Sequence, residues 1–161
     1  MARCKVSVIM AAYNAEDTIE MALNSIPDRD DVEVIVVDDG STDGTAKKVR
    51  EFGRSKLVQH KQNYGLGKAL NTGLDEASGE YVVMLDADDD FYPLAFEECM
   101  EDLDGTDLVY FNLITNDGTI FDLTPSSKDI YCGQTKFMRR EFVGKTKYDE
   151  TALVAEDVPF W

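Results

Sequence analysis

The stretch Tyr81-Val82-Val83-Met84-Leu85 runs without a break into Asp86-Ala87-Asp88-Asp89-Asp90. Five apolar residues, β-rich and too short for a helix of their own, read as a strand buried on both faces. Such a strand belongs to a parallel sheet covered by helices. Its carboxyl end then delivers four carboxylates in five positions, at the rim where open α/β sheets bind ligands. Carboxylates this close raise one another's pKa unless a cation sits among them. Oxygen donors alone suit Mg²⁺ or Mn²⁺ better than zinc or copper. The stretch therefore predicts a divalent-metal site whose other ligands come from a phosphorylated substrate. A solvated acidic turn is the plain alternative.

The flanking sequence supplies the rest of such a sheet. Lys5–Ala12 (KVSVIMAA) reads as a first buried strand, with Tyr13-Asn14 as the turn at its carboxyl end. Glu16 to Ile26 carries Ile19, Ala22, Leu23 and Ile26 at helical spacing, and Pro27 stops it. Val32–Val37 is a second strand, leading into Asp38-Asp39-Gly40-Ser41-Thr42-Asp43-Gly44 and a helix over Thr45–Phe52. A short strand, Lys56–His60, precedes the glycine-punctuated Asn63–Gly67, which opens a helix reaching Ala77. Ser78-Gly79 ends that helix. Beyond the acids, Pro93 suits the first position of a helix to Leu103. Asp107–Leu113 reads as a strand, joined through Asn116-Asp117-Gly118 to Thr119–Leu123 in a hairpin. Gln134–Glu141 reads as a short helix bearing Arg139 and Arg140. The strand–helix alternation through Leu103 predicts an α/β fold, a mostly parallel sheet with helices on both faces, plus a small hairpin in the C-terminal half. All 161 residues are expected to form one domain.

Charge narrows the partners. The chain has 32 acidic and 16 basic residues, a net charge of −16, which excludes nucleic acid and disfavours anionic membrane surfaces. Any phosphate ligand would need a local cation to overcome that field. Cys4, Cys99 and Cys132 are odd in number and far apart, fitting neither disulfides nor zinc, and point to a reducing, cytosolic setting. No apolar run has the length of a membrane span, and the first strand follows the N-terminus too closely for a signal peptide.

Together these motifs resemble the family 2 glycosyltransferases of GT-A fold. VSVIMAAYN at Val6–Asn14 is similar to the family's opening strand, and VIVVDDGSTDGT at Val34–Thr45 to its second strand and nucleotide-binding turn. The glycine-rich helix Asn63–Gly73 and GEYVVMLDADD at Gly79–Asp89 follow in the family's order, and Glu156-Asp157 falls where the family places its catalytic carboxylate. The resemblance implies inverting transfer of a sugar from a nucleotide-sugar donor, UDP-sugars first, to a glycan, lipid-linked or other acceptor hydroxyl, with Mn²⁺ or Mg²⁺. On that likeness the base stacks near Tyr13, Ala11 offers a backbone contact, and Asp39 accepts a hydrogen bond from the base. Asp88 lies by the ribose and metal, Asp89 binds the metal directly, and Asp86 supports the cluster. Asp157 is the general base. A metal on the diphosphate neutralises the leaving group, and a carboxylate takes the acceptor's high-pKa proton. Lys68, at a helix start, is placed to reach a phosphate, with a solvated lysine as the alternative. Tyr13 alone reads equally as a turn tyrosine, and His60 as a strand-end residue rather than a ligand. Phe91, Phe96 and Phe111 read as core.

Three features depart from the family pattern. Leu70 stands where many members have arginine, Ala11 lacks a common hydroxyl, and the chain ends four residues after Asp157. A family member would continue into an acceptor-binding region, so the sequence is expected to be truncated after the Glu-Asp motif. The expected location is cytoplasmic, with the inner face of the membrane as a peripheral site for a full-length protein. A non-catalytic nucleotide-sugar-binding fragment remains an alternative. An Asp-x-Asp phosphatase fits less well, because it carries its motif on the first strand and wants Thr or Val where Asp90 stands. A receiver domain would need a lysine after a later strand, and Lys128 is not well placed for it.

Overall fold

The computed structural model describes residues 5–92, 94–121 and 136–151. Cys4, Pro93, Cys132, the hairpin's end at Leu123, and Glu156-Asp157 lie outside them. The chain starts β1 (Val6–Ala12), α1 (Ile19–Asn24), β2 (Val32–Asp38), α2 (Thr45–Phe52), β3 (Ser55–Gln59), α3 (Leu66–Glu76) and β4 (Tyr81–Met84). It continues with α4 (Ala95–Glu101), β5 (Leu108–Tyr110), β6 (Leu113–Ile114), β7 (Ile120–Phe121), β8 (Lys136–Arg139) and α5 (Arg140–Val143). Six strands form one sheet in the order β3-β2-β1-β4-β8-β5, and β6 pairs with β7 apart from it. From β3 to β4 every pairing is parallel.

Why β1 sits at the centre follows from its sequence. Its side chains alternate between faces with a period of two, and both faces are apolar. Val6, Val8, Met10 and Ala12 join α1, α2 and α4 in one core, while Ile9 packs against α3 in the other. The chain lays down β1, β2 and β3 in one direction, then returns to place β4 on the other flank of β1. This reversal is the topological switch point at which such sheets open a crevice. Phe91, Phe96, Phe111 and Phe137 pack edge to face with ring centroids 5.1–5.9 Å apart; of the three read as core, Phe91 and Phe96 are buried in it and Phe111 packs against it half-buried.

A half-buried acid fastens the opposite, amino-terminal end of the sheet. Glu33 on β2 accepts hydrogen bonds from the Ser7 hydroxyl on β1 (2.5 Å) and from the N–H groups of Ser78 (2.6 Å) and Gly79 (3.1 Å), just before β4. Gly79 passes so close to β1 that a Cβ would lie 2.7 Å from the Ser7 nitrogen.

The C-terminal half corrects two expectations. The helix expected over Gln134–Glu141 is instead strand β8, antiparallel to both β4 and β5, followed by the short α5. Phe137 (0% exposed) and Met138 (2% exposed) go to opposite cores, which only an extended chain buried on both faces allows. The strand expected over Asp107–Leu113 divides into β5 in the main sheet and β6 in the hairpin. The hairpin itself forms, with Ile114 opposite Ile120.

Candidate active site

A cleft of about 870 Å³ opens at the carboxyl ends of β1 and β4, at the switch point. Ala11, Tyr13 and Asn14 line it from β1, Leu66 from the first turn of α3, and Asp86 and Asp88 from β4. Tyr13 is 49% exposed, its ring available to the cleft. The β1 turn is braced to the β2 turn, since the Asn14 N–H donates to Ser41 Oγ (2.9 Å) and Asn14 Oδ1 accepts from the Thr42 N–H (2.9 Å). The Ala15 N–H likewise donates to Thr45 Oγ1 at 2.8 Å. The cleft wall therefore rests on hydrogen bonds between two polar turns.

Asp86, Asp88 and Asp89 each offer a carboxylate oxygen within 4.8 Å of the others. Loss of hydration, followed by the charges of Asp88 and Asp90, raises the Asp89 carboxyl above the ordinary carboxylate range. Like charges held together in this way favour a proton or a cation. Three hard oxygen donors and no sulfur or imidazole fit Mg²⁺ or Mn²⁺. A second hollow of about 400 Å³ shares Asp88 with the cleft and is walled by Tyr92, Phe111 and the β6 residues Leu113 and Ile114.

Asp39 stands behind the cleft wall. It accepts from the N–H groups of Tyr64 (3.0 Å to each oxygen) and Gly65 (2.8 Å), and its Oδ1 is 2.6 Å from His60 Nδ1. Gly40 at the same turn has φ +76 and lies so close to Gln62 that a Cβ would meet its backbone at 2.4 Å. His60 does stand at the end of β3, as expected, but its ring engages Asp39 and Thr72, partners brought to it by the fold. Lys68 pairs with Glu150 at 3.3 Å and is not a lining residue of the cleft. Beside it, Asn71 holds the Tyr148 backbone at both ends, accepting from its N–H (2.8 Å) and donating to its carbonyl oxygen (3.0 Å). Gly67 leaves no room there, because a Cβ would meet the Asp149 carbonyl oxygen at 2.6 Å. Leu70 is buried in the core that α3 forms on β1 and β2 and is not a lining residue of the cleft. Asp157 lies outside the described residues, so the structure unites Ala11, Tyr13, Asp86 and Asp88 in one cleft, with Asp89 beside them and Asp39 behind.

Known proteins resemble this chain in sequence and fold. The family model described as "Glycosyl transferase family 2" matches residues 7–155. EpsH of Bacillus subtilis is 34% identical over 137 residues, covering 81% of this chain and 38% of EpsH. The crystal structure of Staphylococcus aureus TarS 1–349 in complex with UDP-GlcNAc superposes with a TM-score of 0.82 at 28% identity, over 95% of this chain and 51% of that one. The mannosyltransferase PcManGT from Pyrobaculum calidifontis, in complex with GDP-Man and Mn²⁺, gives a TM-score of 0.74 at 26% identity, over 98% of this chain and 50% of that one. The chain thus spans about half the length of these structures and 38% of EpsH. With a family match over nearly its whole sequence and a fold that superposes on these structures, the chain belongs to the family 2 glycosyltransferases and has their GT-A fold.

Proposed function

We propose that this chain is a single nucleotide-sugar-binding and catalytic domain that transfers a sugar, with inversion, from a nucleotide-sugar donor to an acceptor hydroxyl in glycan or polysaccharide synthesis. The observation that carries this reading is the meeting of Tyr13, Asp86 and Asp88 in one cleft at the switch point. UDP-sugars are the foremost donors. The UDP-GlcNAc held by TarS and the GDP-Man held by PcManGT support the donor class.

Each residue has a distinct part. Tyr13 stacks on the base, and the Ala11 backbone borders it. Asp39 accepts an N–H of the base at one of its roughly four acceptor positions, which the Tyr64 N–H, shared between both carboxylate oxygens, gives up on binding. Asp88 faces the ribose and, with Asp89, holds Mn²⁺ or Mg²⁺, while Asp86 completes the cluster. The bound cation supplies charge neutralisation for the diphosphate leaving group. Lys68 serves a phosphate only by leaving Glu150. Asp157 removes the acceptor's proton as the hydroxyl attacks the anomeric carbon. The acceptor is a glycan, a lipid-linked sugar or another hydroxyl compound, and the smaller hollow beside Asp88 is where it enters. Among the described residues no helix is long and apolar enough to cross a membrane, in keeping with a cytoplasmic domain able to work at the inner membrane face.

A thermal-shift titration with UDP, GDP, dTDP and CMP, each with and without Mn²⁺, tests the reading. A ligand at about a hundred times its Kd adds about 2.7 kcal/mol, a rise on the order of 5 °C for a domain of this size. One nucleotide is expected to give a Mn²⁺-dependent rise that disappears in Asp89→Ala. No rise from any nucleotide would overturn the donor site. Release of UDP from a UDP-sugar on adding acceptor then separates a transferase from a binding fragment.

A further inference from the structure

His60 sits at the junction of three separate pieces of the donor site. Its backbone N–H donates to the Asp38 carbonyl oxygen at 2.9 Å, tying the end of β3 to the end of β2. Its Nδ1 is 2.6 Å from Asp39 Oδ1, and since a carboxylate only accepts, Nδ1 carries the proton between them. Its Nε2 is 3.0 Å from Thr72 Oγ1 on α3, which lies 2.9 Å from the Lys68 carbonyl oxygen one turn earlier. The ring also meets Tyr64 edge-on, with centroids 5.4 Å apart.

Beyond the close pass of Gly40 against Gln62 and Asn63, the turn these contacts surround is held by hydrogen bonds. Asn63 and Tyr64 are exposed, and Gly65 adopts φ +95 with nothing within 4 Å of where a Cβ would stand. Its attachments are hydrogen bonds, from the Tyr64 and Gly65 N–H groups to Asp39 and from the Gly65 N–H to Asn63 Oδ1. The next residue, Leu66, lines the cleft. Asp39 is thus the peg for the turn, and it is itself only 3% exposed. A buried carboxylate keeps one orientation only while its donors fix it. The Tyr64 and Gly65 N–H groups belong to the turn that must be held, so they cannot independently orient the peg. His60 can, because β3 and α3 anchor it from both sides.

We propose that His60 is a positioning residue for donor binding, which fixes the Asp39 carboxylate and through it the Tyr64–Gly65 turn bordering the cleft. The inference rests on the donor-site reading given above. By occupying Oδ1, His60 sets the direction of the acceptor position that a base takes over from the Tyr64 N–H, which is shared between the two Asp39 oxygens. A base with an N–H on its pairing edge, such as uracil or guanine, can use that position. Cytosine presents a bare ring nitrogen there and cannot. His60 therefore acts on affinity for the base, and on discrimination between bases, without touching the donor.

Isothermal titration of the full chain with UDP, GDP and CDP in the presence of Mn²⁺ tests this, using wild type, His60→Ala, His60→Asn and His60→Gln. An asparagine amide nitrogen falls near the position of Nδ1 and can donate to Asp39, whereas glutamine reaches towards Thr72 instead. His60→Ala is expected to weaken the preferred nucleotide at least tenfold and to narrow its margin over CDP. His60→Asn is expected to restore most of both, and His60→Gln little of either. If His60→Ala melts too low to titrate, the Asn and Gln pair carries the comparison alone. Wild-type affinity and base preference in His60→Ala, or equal recovery by Asn and Gln, would overturn the inference while leaving the donor site standing. Absence of nucleotide binding by the wild type would overturn both.

Discussion

Tyr13 and Asp89 show how much of a site one residue can carry. Tyr13 follows directly on β1 with its ring half exposed in the cleft, so replacing it removes little packing from the fold. Base–aromatic stacking is worth about 1–3 kcal/mol by alanine substitution. Tyr13→Ala is therefore expected to weaken the preferred nucleotide about 10- to 100-fold with an unchanged melting temperature in its absence. Tyr13→Phe should bind as the wild type, which titration calorimetry checks directly. The acids at Asp86–Asp90 are legible from sequence because the whole cluster lies in one contiguous run after a buried strand. His60 is not, because Asp39 and Thr72 lie 21 and 12 residues away from it. No local pattern announces a contact of that kind. Lys68 fails for a related reason: its position at a helix start is visible, but Glu150, 82 residues on, is what engages it.

Glu33 and Asn71 act on whole elements. Burial alone would raise the Glu33 carboxyl, yet the hydroxyl of Ser7, the N–H and hydroxyl of Ser78 and the N–H of Gly79 hold it below its ordinary value of 4.5. A folded-state pKa that is depressed means stabilisation present above the unfolded value and lost as pH falls through the folded one. Glu33→Gln is accordingly expected to cost about 1–2 kcal/mol at neutral pH. The difference should shrink below about pH 4.5, as urea denaturation of both proteins across that range would record. Asn71 latches the segment around Tyr148 onto α3. Asn71→Ala strands a buried N–H and a carbonyl, at about 1–3 kcal/mol for each group left unpaired. Faster hydrogen exchange at the Tyr148 amide is the expected sign, with α1 and β2 amides unaffected. The elements up to β4 were legible because β1, β2 and β4 are mostly apolar runs and the helices between them carry apolar residues at helical spacing. β8 was not. Lys136-Phe137-Met138-Arg139 has two apolar residues between cations, too short to show a period of two, and its place is set by pairing with β4 and β5.

At the scale of the molecule, a net charge of −16 sets two salt effects against each other. Self-repulsion destabilises a compact state of one sign, and screening shortens its reach from about 10 Å at 0.1 M salt to about 3 Å at 1 M. Surface ion pairs such as Lys5–Asp104 and Arg54–Asp28 include a well-exposed partner and contribute about 0–1 kcal/mol apiece. Screening them removes less than screening the repulsion restores. The melting temperature is therefore expected to rise by a few degrees as NaCl goes from about 0.05 M to about 0.5 M, without saturating sharply. A divalent cation at matched ionic strength should behave differently. Asp86, Asp88 and Asp89 converge, so millimolar Mn²⁺ should add a saturable increment above the NaCl curve, following the logarithm of its concentration over its Kd. Asp89→Asn should abolish that increment yet keep the NaCl slope, because removing one charge of many hardly alters the overall field. Differential scanning fluorimetry of both proteins in the two salts decides it. If Mn²⁺ merely follows the NaCl curve, the acids are a diffuse negative surface, and the metal must arrive with the donor rather than before it.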